Sequence, residues 1–97
     1  SSAASDVYKR QIEAYFYLGD IYLQQQMFQD SFETFSSLVL NFPDNGRAPE
    51  SYYKLGLILI ELEDEISAIN NFNKVIQNYP DSIAAILSNE ELVKLNN

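Results

Sequence analysis

The sequence contains no cysteine, no histidine and no tryptophan, and only 6 of its 97 residues are basic. Without cysteine there is no disulfide, no thiolate nucleophile and no Cys-ligated zinc. Without histidine as well, the groups left for catalysis are carboxylates, serine, tyrosine and a few lysines. The 6 bases face 14 acids, a formal charge of −8. That balance disfavours a phosphate-binding surface, which needs clustered Lys or Arg, so nucleic acid is not an expected partner. Long apolar runs are missing too: the longest, "LGLILI" from Leu55 to Ile60, is far short of the roughly 18–20 residues that cross a bilayer.

What is present suits one small folded unit, since 46% of the residues are hydrophobic and a chain of this length fits one domain. The opening "SSAASDVYKRQ" lacks the apolar core of a signal peptide and stands outside the pattern that follows. It resembles the adapter-derived translations at the ends of environmental sequence fragments. Residues 1–11 are therefore read as a non-native leader or a disordered segment, with the native chain starting near Ile12.

From there the sequence repeats itself. "LNFPDN" at Leu40–Asn45 returns as "QNYPDS" at Gln77–Ser82, with Pro43 and Pro80 set 37 residues apart. At the same offset Glu13 matches Glu50, Tyr15 matches Tyr52, Leu18-Gly19 matches Leu55-Gly56, Ile21 matches Ile58 and Phe35 matches Phe72. A fixed period of this length marks a repeat architecture.

Within each repeat the apolar spacing is helical, as in Phe28, Phe32, Phe35, Leu38, Val39 and Phe42, or Ile66, Ile69, Phe72, Val75, Ile76 and Tyr79. Another helical segment precedes each of these, Ile12 to about Gln25 and Pro49 to about Leu62, the second opened by a proline suited to a first turn. The unit is helix, turn, helix. A fifth segment, residues 82–95, reads as a closing helix whose Asn89, Glu90, Lys94, Asn96 and Asn97 supply a polar outer face.

The residues resemble the tetratricopeptide repeat pattern W-x2-L-G-x2-Y, A-x3-F, P. Tyr15, Leu18, Gly19, Tyr22, Ser31, Phe35 and Pro43 follow it once, and Tyr52, Leu55, Gly56, Leu59, Ala68, Phe72 and Pro80 follow it again. The resemblance implies an all-α solenoid of two repeats, 12–45 and 48–81, with a capping helix at 82–95. Gly19, Gly56, Ser31 and Ala68 are the small residues that let paired helices approach. Gln26 and Glu63 stand where the pattern has a turn glycine. A non-glycine residue at positive φ costs about 1 kcal/mol, so the turns are expected to differ in shape from the family norm.

The 37-residue period exceeds the usual repeat of about 34, and the surplus lies in "DNGRAPE" after Pro43. Ala48, Pro49, Lys54, Leu55, Gly56, Leu59, Leu62 and Ala68 follow a line similar to the C-terminal repeats of the periplasmic cell-division coordinator of the Tol-Pal system. That resemblance implies a bacterial, periplasmic protein binding TolA or a cell-wall synthesis protein, in coordination of envelope constriction. Other adaptors of the same repeat class, such as outer-membrane assembly lipoproteins, or a structural fragment of a larger scaffold, are the alternatives.

In such a stack the first helix of each hairpin lines the concave face, and its residues spare from packing are the candidate contacts. These are Glu13, Phe16, Tyr17, Asp20, Leu23 and Gln24, then Glu50, Tyr53, Lys54, Leu57, Ile60 and Glu61. Tyr53, Leu57 and Ile60 make their helix apolar nearly all round. Either a neighbouring repeat or the closing helix covers them, or they form a partner groove rimmed by Glu13, Asp20 and Glu61. Mainly acidic, the groove does not suit capture of a C-terminal carboxylate. No enzyme activity, metal or cofactor is expected: "ELEDE" at Glu61–Glu65 lacks the alternating ligands and glycine of a calcium loop, "DNG" reads as a turn, and the bases Arg47, Lys54, Lys74 and Lys94 are dispersed. Two hairpins and a cap fall below the three repeats usually needed for stability, which points to possible self-association.

Overall fold

A computed structural model describes residues 2–97 as five helices in chain order: α1 (Ser2–Gln24), α2 (Phe28–Asn41), α3 (Ala48–Glu61), α4 (Glu65–Asn78) and α5 (Ile83–Asn96). α1 and α2 form one hairpin, α3 and α4 a second, and α5 follows in the place of a third first helix. The array measures 48 × 30 × 17 Å, its least dimension being the depth of two helices packed about 8–10 Å apart. The boundary expected at Ile12 is not a break in secondary structure. α1 is already helical from Ser2, and Tyr8 lies against Phe42 with ring centroids 6.0 Å apart. Ser1 of the suspected leader lies outside the described residues.

Each hairpin is built on one close approach. An added Cβ on Gly19 would come 2.8 Å from Cε2 of Phe35, and one on Gly56 would run into Cε1 of Phe72. Both rings are fully buried. Ser31 is more than a small residue: its hydroxyl donates to the Gly19 carbonyl at 2.7 Å, tying α2 to the backbone of α1. Ala68 holds the equivalent place in the second hairpin with no side-chain bond.

The turns correct one expectation. Gln26 (φ 62°) and Glu63 (φ 64°) both adopt the left-handed conformation despite lacking glycine's freedom. The reason is in the closing bonds: Met27 N–H donates to the Tyr22 carbonyl and Asp64 N–H to the Leu59 carbonyl, each at 2.8 Å. These six-residue closures satisfy helix-end carbonyls, and the packed hairpins hold the cost of about 1 kcal/mol at each turn. Asp64 further caps α4, accepting from Ser67 N–H at 3.2 Å.

The long connector is ordered by Asn45, whose amide donates to the Phe42 carbonyl at 2.6 Å and whose Oδ1 accepts from Arg47 N–H at 2.6 Å. Its left-handed residue is Asp44 (φ 60°), not Gly46, because a short acidic side chain tolerates that region better than most.

The core runs along the stack in three linked clusters. Phe16, Phe35, Leu38, Leu55 and Ile58 join the first hairpin to α3; Leu59, Ala68 and Phe72 fill the second hairpin; Val75, Ala84 and Ala85 seat α5. α5 keeps the 37-residue register, with Ala85 and Ser88 buried as Ala48 and Ser51 are. Ser51 and Ser88 are buried with no hydrogen-bond partner for either hydroxyl among the described residues, and nothing in those residues explains the pair. The outer face of α5 is less polar than expected, since Ile83 (75%), Ile86 (64%) and Val93 (55%) are exposed beside the asparagines.

Replacing Gly56 by alanine is expected to destabilise the fold by about 1–3 kcal/mol through the clash with Phe72. Gly46→Ala, where no positive φ is needed and nothing lies within 4 Å, should instead add about 0.4–1 kcal/mol. Urea unfolding followed by circular dichroism separates the two, and equal effects would contradict the close approach.

Candidate functional site: the concave face of α1, α3 and α5

The helices with exposed surface toward the hollow of the stack are α1, α3 and α5, so the face is built from residues one helical turn apart on parallel elements. At its amino-terminal end sits Arg47, the residue before α3. Its Nε donates to Glu13 at 3.0 Å, its Nη1 to Glu50 at 3.1 Å and its Nη2 to the Tyr17 hydroxyl at 3.3 Å. The guanidinium lies 4.4 Å above the Phe16 ring and 5.5 Å from that of Tyr17, a stacking suited to its flat cation. Burial pulls the Arg47 pKa down, but the hydrogen bond to Glu13 and the charges of Glu50 and Glu13 outweigh it and raise it overall.

Two turns further along, Lys54 donates to Asp20 at 2.8 Å. The rim is thus not the ring of free acids expected from Glu13, Asp20 and Glu61. Glu13 and Asp20 are each paired across to the next hairpin, and Glu61 alone of the three makes no ion pair among the described residues. Arg47 and Lys54, dispersed in the sequence, each stand 34 residues after the acid they meet. That common spacing was the available signal. Part-exposed pairs of this kind contribute about 0.2–1 kcal/mol each, and both bridge from the first hairpin to the second.

The expected contact residues divide into three sets. Phe16 is corrected: at 4% exposure it belongs to the core, edge-on to Phe35 at 5.5 Å between centroids, because α1 turns it toward α2. Tyr17 is exposed, and Gln24 is exposed and donates to Asp20 at 3.3 Å. Tyr53, Leu57 and Ile60 are half-buried against the Leu59–Ala68–Phe72 cluster together with Leu92 and Leu95 of α5. The closing helix therefore covers these three in part.

Among the recesses left open along the face, besides one beside Glu13, Arg47 and Glu50, two border the expected apolar contacts. A hollow of about 530 Å³ lies between α3 and α5, lined by Pro49, Glu50, Tyr53, Lys54, Ile83 and Leu87 among others. The second, of about 390 Å³, lies at the carboxyl ends of α1 and α3 and brings together Leu23, Gln24, Leu57, Ile60, Glu61 and Glu91. Glu91 was missed by sequence reasoning because α5 was read only as a polar cap. Among the described residues no three acidic side chains converge as a metal site requires, and no helix is long and apolar enough to cross a membrane.

Paired antiparallel helices stacked in register, with a hollow lined by the first helix of each pair, define the class of helical-repeat scaffolds. The model of the tetratricopeptide repeat matches residues 13–45 and 50–82. Together these cover more than half of the chain, which belongs to the tetratricopeptide repeat family. No curated protein matches it significantly.

The phenol of Tyr53 is raised above its ordinary value, by burial first and then by the charge of Glu91, with Lys94 opposing. Tyr79 is raised by burial and by Asp44, which accepts its hydroxyl at 3.4 Å. A raised phenol favours the neutral form in the folded state. Its contribution to stability is complete below pH about 10 and is lost as pH climbs through the folded value. Urea unfolding at rising alkaline pH is expected to show this loss, with a shallower decline in Tyr53→Phe than in the wild type.

Proposed function

We propose that the chain is a non-catalytic protein-interaction scaffold whose concave face holds an apolar side chain of a partner peptide beside a basic one. The observation that carries this reading is the recess at the carboxyl ends of α1 and α3. Five residues assigned to the groove from sequence, Leu23, Gln24, Leu57, Ile60 and Glu61, line it together. Its apolar lining is Leu23, Phe28, Leu57 and Ile60, and the carboxylate of Glu61, in no ion pair among the described residues, stands where two helices end. Helix carboxyl termini carry partial negative charge, which adds to the attraction for a cation. Glu13, Tyr17, Asp20, Tyr53 and Lys54 continue the face toward Arg47 and offer further polar contacts.

The test is fluorescence anisotropy with two labelled peptides of equal length, one alternating leucine with arginine and the other leucine with glutamate. The basic peptide should bind more tightly, with an affinity that falls as salt is raised. Glu61→Lys should weaken it by about threefold to tenfold, with unchanged circular dichroism. Equal binding of both peptides, or indifference to Glu61→Lys, would remove the recess from the reading.

A finer proposal rests on the connector and on α3. The line "RAPESYYKLG", similar to the periplasmic Tol-Pal coordinator, supports a periplasmic location and a TolA-like or cell-wall synthesis partner. Titration with the soluble part of TolA should give saturable binding that competes with the basic peptide. Absence of binding would discard that partner and leave the scaffold standing.

A further inference from the structure

The repeat allows α1 to be compared with α3 position by position. In α3, Leu55 is 4% exposed, and Ile58 and Ser51 are fully buried under α2. Thirty-seven residues earlier, Leu18 is 41% and Ile21 49% exposed, and Ala14 is open as well. The same face that α2 covers on α3 is bare on α1.

That face is a regular seam. Val7, Gln11, Ala14, Leu18, Ile21 and Gln25 follow one another by alternating steps of four and three, the spacing of the a and d positions of a coiled coil. All six are exposed. The seam carries no charge, and the acids of α1 lie off it at Asp6, Glu13 and Asp20, the last two already paired with Arg47 and Lys54. Tyr8, Tyr15 and Tyr22 flank it on the side toward α2. Two such seams can meet without bringing acids face to face, although the chain carries −8 overall. The small Ala14 at the centre lets two backbones approach.

Among the described residues no second hairpin lies on this face: positions 5–10, equivalent to the Phe42–Arg47 connector, are helix within α1. We propose that the cover is a second copy of this chain, the two α1 helices packing through this seam in a two-fold dimer. A self-matching patch is what a two-fold interface requires, and the seam from Val7 to Gln25 runs about 27 Å.

Sedimentation equilibrium over a concentration series is expected to show a monomer–dimer equilibrium. Leu18→Glu combined with Ile21→Glu should raise the dimer dissociation constant at least about tenfold with helical circular dichroism retained. Because the chain has no cysteine, A14C offers a second reading that does not depend on the charged variant folding. Under mild oxidation it should cross-link between chains faster than L40C, placed on the remote and 79% exposed Leu40 of α2. A wild-type chain that stays monomeric throughout, or A14C cross-linking no faster than L40C, would overturn the proposal.

Discussion

The contact of an aromatic ring with a bare helix backbone, Phe35 on Gly19 and Phe72 on Gly56, is what the remaining architecture depends on. It fixes how near the two helices of a hairpin can come, and that distance sets where every other side chain falls. With the rings buried, Leu38 reaches Leu55 and Ile58 of the next hairpin, and Val75 reaches Ala84 and Ala85 of α5. The left-handed backbone at Gln26 and Glu63 follows from the same constraint. Packing favours the tight turn enough to hold a conformation that neither residue prefers.

On the concave side ion pairs add to the apolar contacts between the hairpins. Arg47 gathers Glu13, Glu50, Tyr17 and the face of Phe16, and Lys54 meets Asp20. These links engage three of the acids along the hollow, Glu13, Glu50 and Asp20, and leave Glu61 available at the far end. The face therefore has a direction: paired charges from Glu13 to Asp20 of α1 and from Arg47 to Lys54 beside α3, then an apolar recess with carboxylates at the carboxyl ends of both helices.

Much of the fold could be read from the residues themselves. The step of three and four in Phe28–Phe42 and Ile66–Tyr79 marked α2 and α4, and the 37-residue echo marked the hairpins. The site was less accessible. Leu57 and Ile60 were recognised as surplus to the packing stripe, yet only the placement of α5 shows them half covered and half open. Phe16 was assigned to the hollow because a helical wheel gives its angle on α1 but not the direction in which α2 lies. Glu91 was passed over because a polar residue on a last helix carries no sign of which recess it borders.

The sequence by itself determined the periodicity, the hairpin unit, the small residues at the crossing points and the exclusion of histidine and cysteine chemistry, since these are local or depend only on residue type. The tertiary structure decided which charges meet, which apolar residues are left uncovered and which side of α1 stays bare. Glu13 and Arg47, or Asp20 and Lys54, stand 34 residues apart in the chain, and only the pitch of the stack brings them within hydrogen-bond distance. Ile21 and Ile58 occupy the same place in the repeat, and only the presence of α2 beside one and not the other makes the first a surface residue and the second core.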